Sequence, residues 1–499
     1  MQLSKAINVG TLPSRLHTLL LSLYLISNII YCCLLNYHEM NRAALIAEIR
    51  GRTGHLAVVN MVGLYVLAGR NNPLIGLLHV SFDTFNLFHR WIGRIVILQS
   101  IAHTIAWAVN KHNATGFRGI SEAFRSDPFS QFGLVGTIAV TVILFQSPSA
   151  IRHAFYETFL HIHQFLAFAA LLGVYYHAKL GPLPQMLYII AIIVLWSYDR
   201  LVRWFSIVYR NISLRRGITT VTVEALPGEA CRVTFDLRRP WRYRPGCHVY
   251  VYLPSISLWQ SHPFSVAWSE SRATPYLSLE RLEKLPTSSI DLDLPSKNRT
   301  TTSVSLVISK RTGMTAKLYN RASTSPTGIL HLRGALEGPY GGLESLHSYG
   351  TVLLFAGGVG ITHQLGHVRD LLSGYANNTT ATRRIILVWT VRTTEQLEWV
   401  RPWMDTLLAM PGRRDVLQVE LFITKPKSPR EIHSQSGTVQ MHAGRVKVGV
   451  IVEKEFRNRI GAMCVGVCGP GALADDVRQA ARGVVEEGKV DFWEEGFTW

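Results

Sequence analysis

The sequence predicts a multidomain chain: an α-helical transmembrane bundle of about six spans, then an antiparallel β-barrel, then a Rossmann-like α/β domain. Three observations carry this. Long apolar runs recur up to about residue 205 and then stop. From 215 to 340, short segments alternate apolar and polar residues between Gly/Pro turns, as half-buried strands do. From 351 onward, strand and helix patterns alternate, which is the rhythm of a doubly wound parallel sheet. The expected domains are 1–210, 215–342 and 350–499, and 499 residues leave room for them.

The chain carries 51 Lys and Arg against 33 Asp and Glu, a formal charge of +18. No basic run is interleaved with aromatics, so a nucleic-acid module is not expected. Juxtamembrane arginines and a site for a phosphorylated cofactor explain the excess better. The six cysteines, at 32, 33, 231, 247, 464 and 468, have neither zinc-site nor disulfide-framework spacing. The first apolar run has no small-residue cleavage site after it and reads as a retained anchor.

The expected spans are 16–36, 55–78, 88–110, 131–147, 154–178 and 185–205, the second interrupted by Arg70-Asn71-Asn72-Pro73. That interruption leaves 74–87 as an interfacial stretch. With the N-terminus inside, eleven basic residues flank inner ends and seven flank outer ends, which places the C-terminal half in the cytosol. The sequon Asn113-Ala114-Thr115 then falls in an outer loop.

Two histidine pairs stand out: His89/His103 in the third span and His163/His177 in the fifth. Fourteen helical steps return to within about 40° of the starting face and rise about 21 Å. Both spans run from inside to outside, so His89 is level with His163 and His103 with His177. A lone histidine in an apolar helix is ordinarily a core residue. Two in register on each of two parallel spans make two bis-imidazole sites, which suit a pair of haem irons. His161 is sixteen steps from His177, about 160° around the helix, and is excluded. Arg90 and Arg94 flank the inner pair, where positive-inside topology and a contact to haem propionates both explain them. Two imidazoles on each iron leave no open position, so the bundle reads as an electron conduit.

Strands are expected at 219–226, 230–237, 247–253, 263–268, 276–283 and 303–310, with a surface loop over 287–302. In the α/β part, strands are expected at 351–356, 384–391, 417–424 and 462–468, with helices from Thr362, Thr394 and Ala472. The first of these strands runs into Gly357-Gly358-Val359-Gly360-Ile361-Thr362 and then a helix. Glycines let the backbone approach a pyrophosphate, and the helix start offers free N–H groups. Cys468-Gly469-Pro470-Gly471 closes a late strand at the carboxyl edge, where ligands bind in such sheets.

His262-Pro263-Phe264-Ser265, then Glu337-Gly338-Pro339-Tyr340-Gly341, then GGVGIT, then CGPG and an aromatic C-terminus occur in an informative order. In that order the soluble half resembles the ferredoxin–NADP reductase type of flavoprotein. Behind the paired histidines, the whole chain from about residue 15 resembles the fungal ferric/cupric reductases, relatives of the NADPH oxidases. Trp259-Gln260-Ser261 and the Arg52-Thr53-Gly54 and Arg70-Asn71-Asn72 segments match the reductase branch.

The resemblance implies that His262, Pro263, Phe264 and Ser265 hold FAD, with Ser265 in place of the commoner threonine. Lys310, Gly313 and Thr315 match the stretch that meets the FAD pyrophosphate, and Gly338 and Pro339 belong to the same cofactor-binding set. Gly357, Gly358, Gly360 and Thr362 would hold the nicotinamide nucleotide, with Cys468, Gly469 and Pro470 beside its ring. Arg392 leaves the second sheet strand where an adenosine 2′-phosphate would sit, which favours NADPH over NADH. Phe497 or Trp499 would stack on the flavin, Phe497 being favoured by motif position.

The implied activity is that of a metalloreductase with FAD, two b-type haems and cytosolic NADPH, reducing extracellular Fe(III) or Cu(II) chelates for uptake. The implied setting is the lipid bilayer of the plasma membrane, the vacuolar membrane being the alternative, beside a metal permease/oxidase system. A superoxide-producing oxidase with the same wiring is the first rival. A haem-binding membrane protein with a silent flavodomain is the second. Members of this family often carry an extra leading segment, against which the N-terminal stretch is short.

Overall fold

The computed structural model describes residues 2–4, 7–8, 14–38, 41–239, 241, 243–258, 260–274, 299–434 and 436–496. Trp259, Phe497, Trp499 and the strand expected at 276–283 lie outside them. The chain divides into two compact units, Met1–Trp204 and Phe205–Phe497.

In the first unit the long helices are α1 (Arg15–Cys33), α2 (Arg42–Ala68), α4 (Phe82–Ser126), α5 (Pro128–Gln146) and α7 (Tyr156–Leu180). Short helices α3 (Pro73–Leu78) and α6 (Ser149–Ala154) lie between them, and α8 (Met186–Asn211) runs on into the second unit. Among the described residues, α1, α4, α5 and α7 are long and apolar enough to cross a membrane. The expected second and sixth spans are helices of sufficient length, but α2 carries Glu48, Arg50 and Arg52, and α8 carries Asp199, Arg200 and Arg203. These charges are partly matched within the unit: Arg52 pairs with Glu48 at 2.9 Å, and Asp199 accepts from Arg200 and from the backbone N–H of Asn71.

Helix starts follow capping chemistry. Asn41, Asn72, Ser81 and Asp127 each accept a first-turn N–H, and Pro73 and Pro128 follow their caps in the first turn. Capping moves two spans from where apolarity alone puts them. The second starts at Arg42 rather than 55 and stops at Ala68, ahead of the Arg70–Pro73 break. The third starts at Phe82 and runs to Ser126, interrupted at Gly116, where φ is 66°. The sequon at Asn113 is therefore helical and not in a loop.

The second unit begins with an antiparallel barrel of β1 (Thr220–Leu226), β2 (Ala230–Leu237), β3 (Cys247–Tyr252), β4 (His262–Ser265), β5 (Trp268–Thr274) and β6 (Arg299–Ser309). Helix α9 (Met314–Ser323) and strands β7 (Ile329–Arg333) and β8 (Ala335–Gly341) follow. Among the described residues the strands form two sheets, ordered β7-β1-β2-β6-β5 and β8-β3-β4. Strands β7 and β8 and helix α9 are additions to the sequence reading. β8 contains the Glu337-Gly338-Pro339-Tyr340-Gly341 segment. A proline is tolerated there because β8 is an edge strand whose register with β3 shifts between Glu337 and Tyr340.

The α/β part comprises β9 (Thr351–Gly357), α10 (Ile361–Ala376), β10 (Arg384–Val391), α11 (Arg401–Leu408), β11 (Leu417–Ile423), β12 (Val439–Ala443), α12 (Val448–Arg457), β13 (Met463–Cys468), α13 (Gly471–Val485) and β14 (Val490–Glu495). The described strands form one parallel sheet ordered β12-β11-β10-β9-β13-β14. The chain order reverses between β9 and β13, so a ligand crevice opens at their carboxyl ends. Barrel and sheet share one apolar core: Leu226, Ala230, Trp268 and Val307 pack with Leu354, Leu365, Trp389 and Trp399.

Candidate functional site

In the first unit, α4 and α7 bring their histidines together at two depths. The His89 and His163 ring centroids lie 6.2 Å apart, and those of His103 and His177 lie 6.3 Å apart. Two in-line metal–imidazole bonds of about 2.0 Å, with each centroid ~1.2 Å behind its nitrogen, separate such centroids by about 6.4 Å. Each pair is thus spaced for one metal between its rings. Among the described residues no group of three or more His, Cys, Asp or Glu is placed to hold a metal ion, so each level offers two imidazoles.

Backbone carbonyls orient three of the four rings. His89 Nδ1 donates to the Leu64 carbonyl at 3.0 Å and His103 Nδ1 to the Arg50 carbonyl at 2.8 Å, both on α2. His177 Nδ1 donates to the Phe129 carbonyl of α5 at 2.8 Å. A proton held on Nδ1 leaves the Nε2 lone pair for a metal, the usual arrangement of a ligating imidazole. Two glycines make room for this bracing. A Cβ on Gly54 would lie 2.5 Å from His103 Nδ1, and one on Gly133 would lie 2.9 Å from His177 Nδ1. His161 is exposed, away from the pairs.

In the second unit, His262–Ser265 form β4 at the edge of the smaller barrel sheet, with Ser265 opposite His248 and Phe264 opposite Val249. On the other side of β3, the buried Glu337 carboxylate accepts from the hydroxyls of Tyr252 (2.5 Å) and Tyr340 (2.8 Å), next to Gly338 and Pro339. Lys310 follows β6, and its ammonium is held 2.7 Å from Glu229. Gly313, with φ of 62°, turns the chain into α9, and Thr315 Oγ1 accepts from the Arg311 N–H. Lys310, Gly313 and Thr315 therefore cluster at a helix start, where backbone N–H groups suit a phosphate.

The nicotinamide motifs meet across β9 and β13. A Cβ on Gly360 would lie 2.0 Å from the Cys468 carbonyl, and one on Gly357 would lie 2.5 Å from Pro470 Cδ. Gly358, with φ of 54°, faces open space ahead of α10, while its carbonyl is held by Trp389 Nε1 at 2.9 Å. Thr362 Oγ1 donates to the Val359 carbonyl at 2.8 Å. This open, glycine-floored corner before a long helix suits a dinucleotide phosphate. Cys468 is buried, and burial, then the charges of Glu495 and Glu494, push its thiol up, so it is neutral.

Arg392 is exposed just past β10, and its carbonyl accepts from the Lys425 N–H at 2.8 Å. Lys425, which the sequence reading missed, is thus a second cation at that sheet edge. Glu495, opposite Cys468 in the sheet register, was also missed; its signal was its place at the end of the last strand. A third feature has no sequence signal. His363 and His367 of α10 are buried against Trp493, with ring centroids 4.8 and 5.2 Å from the Trp493 ring. Gly246, in the barrel, approaches so closely that a Cβ there would lie 2.7 Å from His367 Nε2. Burial holds both imidazoles neutral, pushing His367 down to about 4 and His363 well below its ordinary value.

Family models match three stretches in the expected order. Residues 53–174 match the ferric reductase like transmembrane component, 215–284 an FAD-binding domain and 349–482 the ferric reductase NAD binding domain. The ferric reductase transmembrane component 3 of Saccharomyces cerevisiae is 27% identical over 98% of this chain and 68% of its own length. Over nearly its whole length the chain is similar to the ferric reductase family. Within that family, the ferric/cupric reductase transmembrane component 1 of Candida albicans is 26% identical over 98% of this chain and 63% of its own. The chain thus spans about two thirds of the length of these ferric reductases. Among solved structures, a ferredoxin NADP+ reductase from Neisseria gonorrhoeae with bound FAD and NADP aligns at 12% identity and a TM-score of 0.34, over 55% of this chain and 98% of that one. The ferredoxin-reductase-like fold of the second unit rests on its strand order and on the two matched domains.

Proposed function

We propose that this chain is a transmembrane metalloreductase that carries electrons from cytosolic NADPH, through FAD and two b-type haems, to extracellular Fe(III) or Cu(II) chelates at the plasma membrane. The observation that carries the reading is the two closely paired histidine sites at two depths, on a chain that also bears both halves of a flavin reductase. FAD would supply the step between a two-electron hydride donor and one-electron carriers.

The residues divide that work. Gly357, Gly358, Gly360 and Thr362 bind the nicotinamide nucleotide, and Arg392 selects its 2′-phosphate. Cys468, Gly469 and Pro470 wall the nicotinamide position, the neutral thiol excluding water without adding charge. His262, Pro263, Phe264 and Ser265 line the flavin edge, Gly338 and Pro339 shape the turn beside it, and Lys310, Gly313 and Thr315 bind its phosphates. Phe497 or Trp499 would stack on the flavin. His89 with His163, and His103 with His177, ligate the two irons, and the bracing carbonyls keep those rings in place.

The test uses purified, FAD-loaded protein and intact cells. NADPH should reduce both haems anaerobically, and cells should reduce Fe(III) chelates without oxygen and in the presence of superoxide dismutase. Acceptor reduction abolished by dismutase would assign the chain to superoxide production. Haems that dithionite reduces and NADPH does not would mark the flavodomain as silent.

A further inference from the structure

Helix α8 exposes Leu187, Ile190, Val194, Tyr198, Leu201, Phe205 and Tyr209. Steps of three and four place them on one continuous stripe about 33 Å long, the length of a bilayer crossing. Its last turns present Trp204, Phe205 and Tyr209, all exposed, as an aromatic belt does at a membrane interface. The chain then continues without a break into a small antiparallel hairpin, Ile212–Ser213 paired with Gly217–Ile218. The tip residue Leu214 is fully exposed, and Ile212 and Ile218 are exposed beside it.

The charge around this hairpin is mostly positive, Asp236 opposite Thr220 being the exposed acidic neighbour. No acidic residue occurs from 200 to 223, a stretch that contains Arg200, Arg203, Arg210, Arg215 and Arg216. The end of β2 adds two more: Arg238 donates to the Ile218 carbonyl at 2.7 Å, and the Arg239 guanidinium lies 3.9 Å over the Tyr209 ring. Arg216 donates to the Arg238 carbonyl, locking the hairpin to that strand end. The hairpin is also fixed to the end of α8. Buried Asn211 accepts from the Leu336 N–H at 2.9 Å, donates to the Leu336 carbonyl at 2.7 Å, and its own carbonyl accepts from the Thr219 N–H.

The hairpin thus combines an apolar tip with several arginines and joins directly to a helix with an exposed apolar stripe, the combination that suits a membrane interface. We propose that residues 212–218 form an interfacial anchor: Leu214, with Ile212 and Ile218, enters the inner leaflet, and the arginines bind anionic phospholipid headgroups. The occupant is the bilayer that α8 crosses. Its apolar interface takes the tip, and its phosphate-bearing surface takes the charge. The anchor rests on α8 crossing the membrane and is independent of which acceptor is reduced.

The experiment uses the full chain in nanodiscs carrying nitroxide-labelled lipid, with C32S/C33S removing the cysteines outside the buried set. A bimane label is placed at L214C, at I190C on the α8 stripe, or at V450C, exposed on α12 far along the sequence. Labels at 214 and 190 should lose most of their fluorescence, and the label at 450 should keep it. Quenching at 190 with none at 214 overturns the anchor, and quenching at neither overturns the span itself. Replacing phosphatidylserine by phosphatidylcholine, or introducing R215Q, should weaken quenching at 214 while leaving 190 unchanged. Equal quenching at 214 in both lipids overturns the headgroup half of the proposal.

Discussion

Replacing His367 by glutamine removes a buried imidazole that is neutral in the folded protein and titrates normally once unfolded. Its folded-state value of about 4 lies below the ordinary 6.5, so between those values the unfolded chain binds a proton that the folded chain does not. Stability from this group is therefore intact above pH 6.5 and is lost as pH falls toward 4. Integrating the proton uptake gives a loss of about 1.3 kcal/mol between pH 7.5 and pH 5.5. His367 is fully buried, so solvent screening takes nothing off that figure. His363, also buried and also held neutral, adds a loss of the same sign in both proteins. The assay is thermal unfolding of the full-length protein in detergent, followed by the rise in FAD fluorescence as the flavin is released. The drop in midpoint from pH 7.5 to 5.5 should be smaller in H367Q than in the parent chain by about 2 °C. Equal drops would refute the burial of a neutral imidazole between Gly246 and Trp493. A larger drop in the variant would refute the sign.

Three further outcomes follow from the same geometry. G54A puts a Cβ 2.5 Å from His103 Nδ1, so it should displace that ring and lower the haem count per protein by about half, as pyridine haemochrome absorbance would show, with flavin content unchanged. G360A drives a Cβ to 2.0 Å from the Cys468 carbonyl and should cut kcat/KM for NADPH-driven flavin reduction by at least about tenfold in stopped-flow traces, leaving the haem spectrum intact. R392A/K425A should lower kcat/KM for NADPH by about 10- to 100-fold while leaving NADH nearly unaffected, and equal losses with both nucleotides would remove the 2′-phosphate assignment.

Periodicity carried the histidine pairs because it is a property of one helix at a time. Fourteen steps put His89 and His103 on one face whatever surrounds them, and the matched spacing on α7 did the same for His163 and His177. What backs those rings was not legible. Gly54 and Gly133 matter through contacts with other helices, and a glycine in an apolar run carries no local sign of that use. The ends of α2 and α4 were misplaced because apolarity marks where lipid begins, whereas Asn41 and Ser81 mark where the helix begins. In the barrel, no strand was expected over Ala335–Gly341, where Pro339 breaks the pattern, and the edge position of β8 is what tolerates it. The glycine motifs were legible as motifs, but their meeting is a product of sheet order: β9 and β13 are neighbours although more than a hundred residues separate them. The His363–His367–Trp493 cluster joins an α-helix to the last strand and could be seen only once the sheet was assembled.

The helices that carry the paired imidazoles are not those that aim them. α4 and α7 supply all four imidazoles, while α2 braces one ring at each level through Leu64 and Arg50, and α5 braces His177 through Phe129. For anyone grafting this pair of sites into a designed bundle, the smallest transplantable part is therefore four helices rather than two. A graft of α4 and α7 alone would carry the ligands and lose their tautomers. Among the described residues α1 and α8 brace none of these rings, but they help hold the bundle together: Asn28 of α1 bonds to Asn60 and Gln99, and Ile189 and Ile192 of α8 are buried with Met61, Val96 and Leu171.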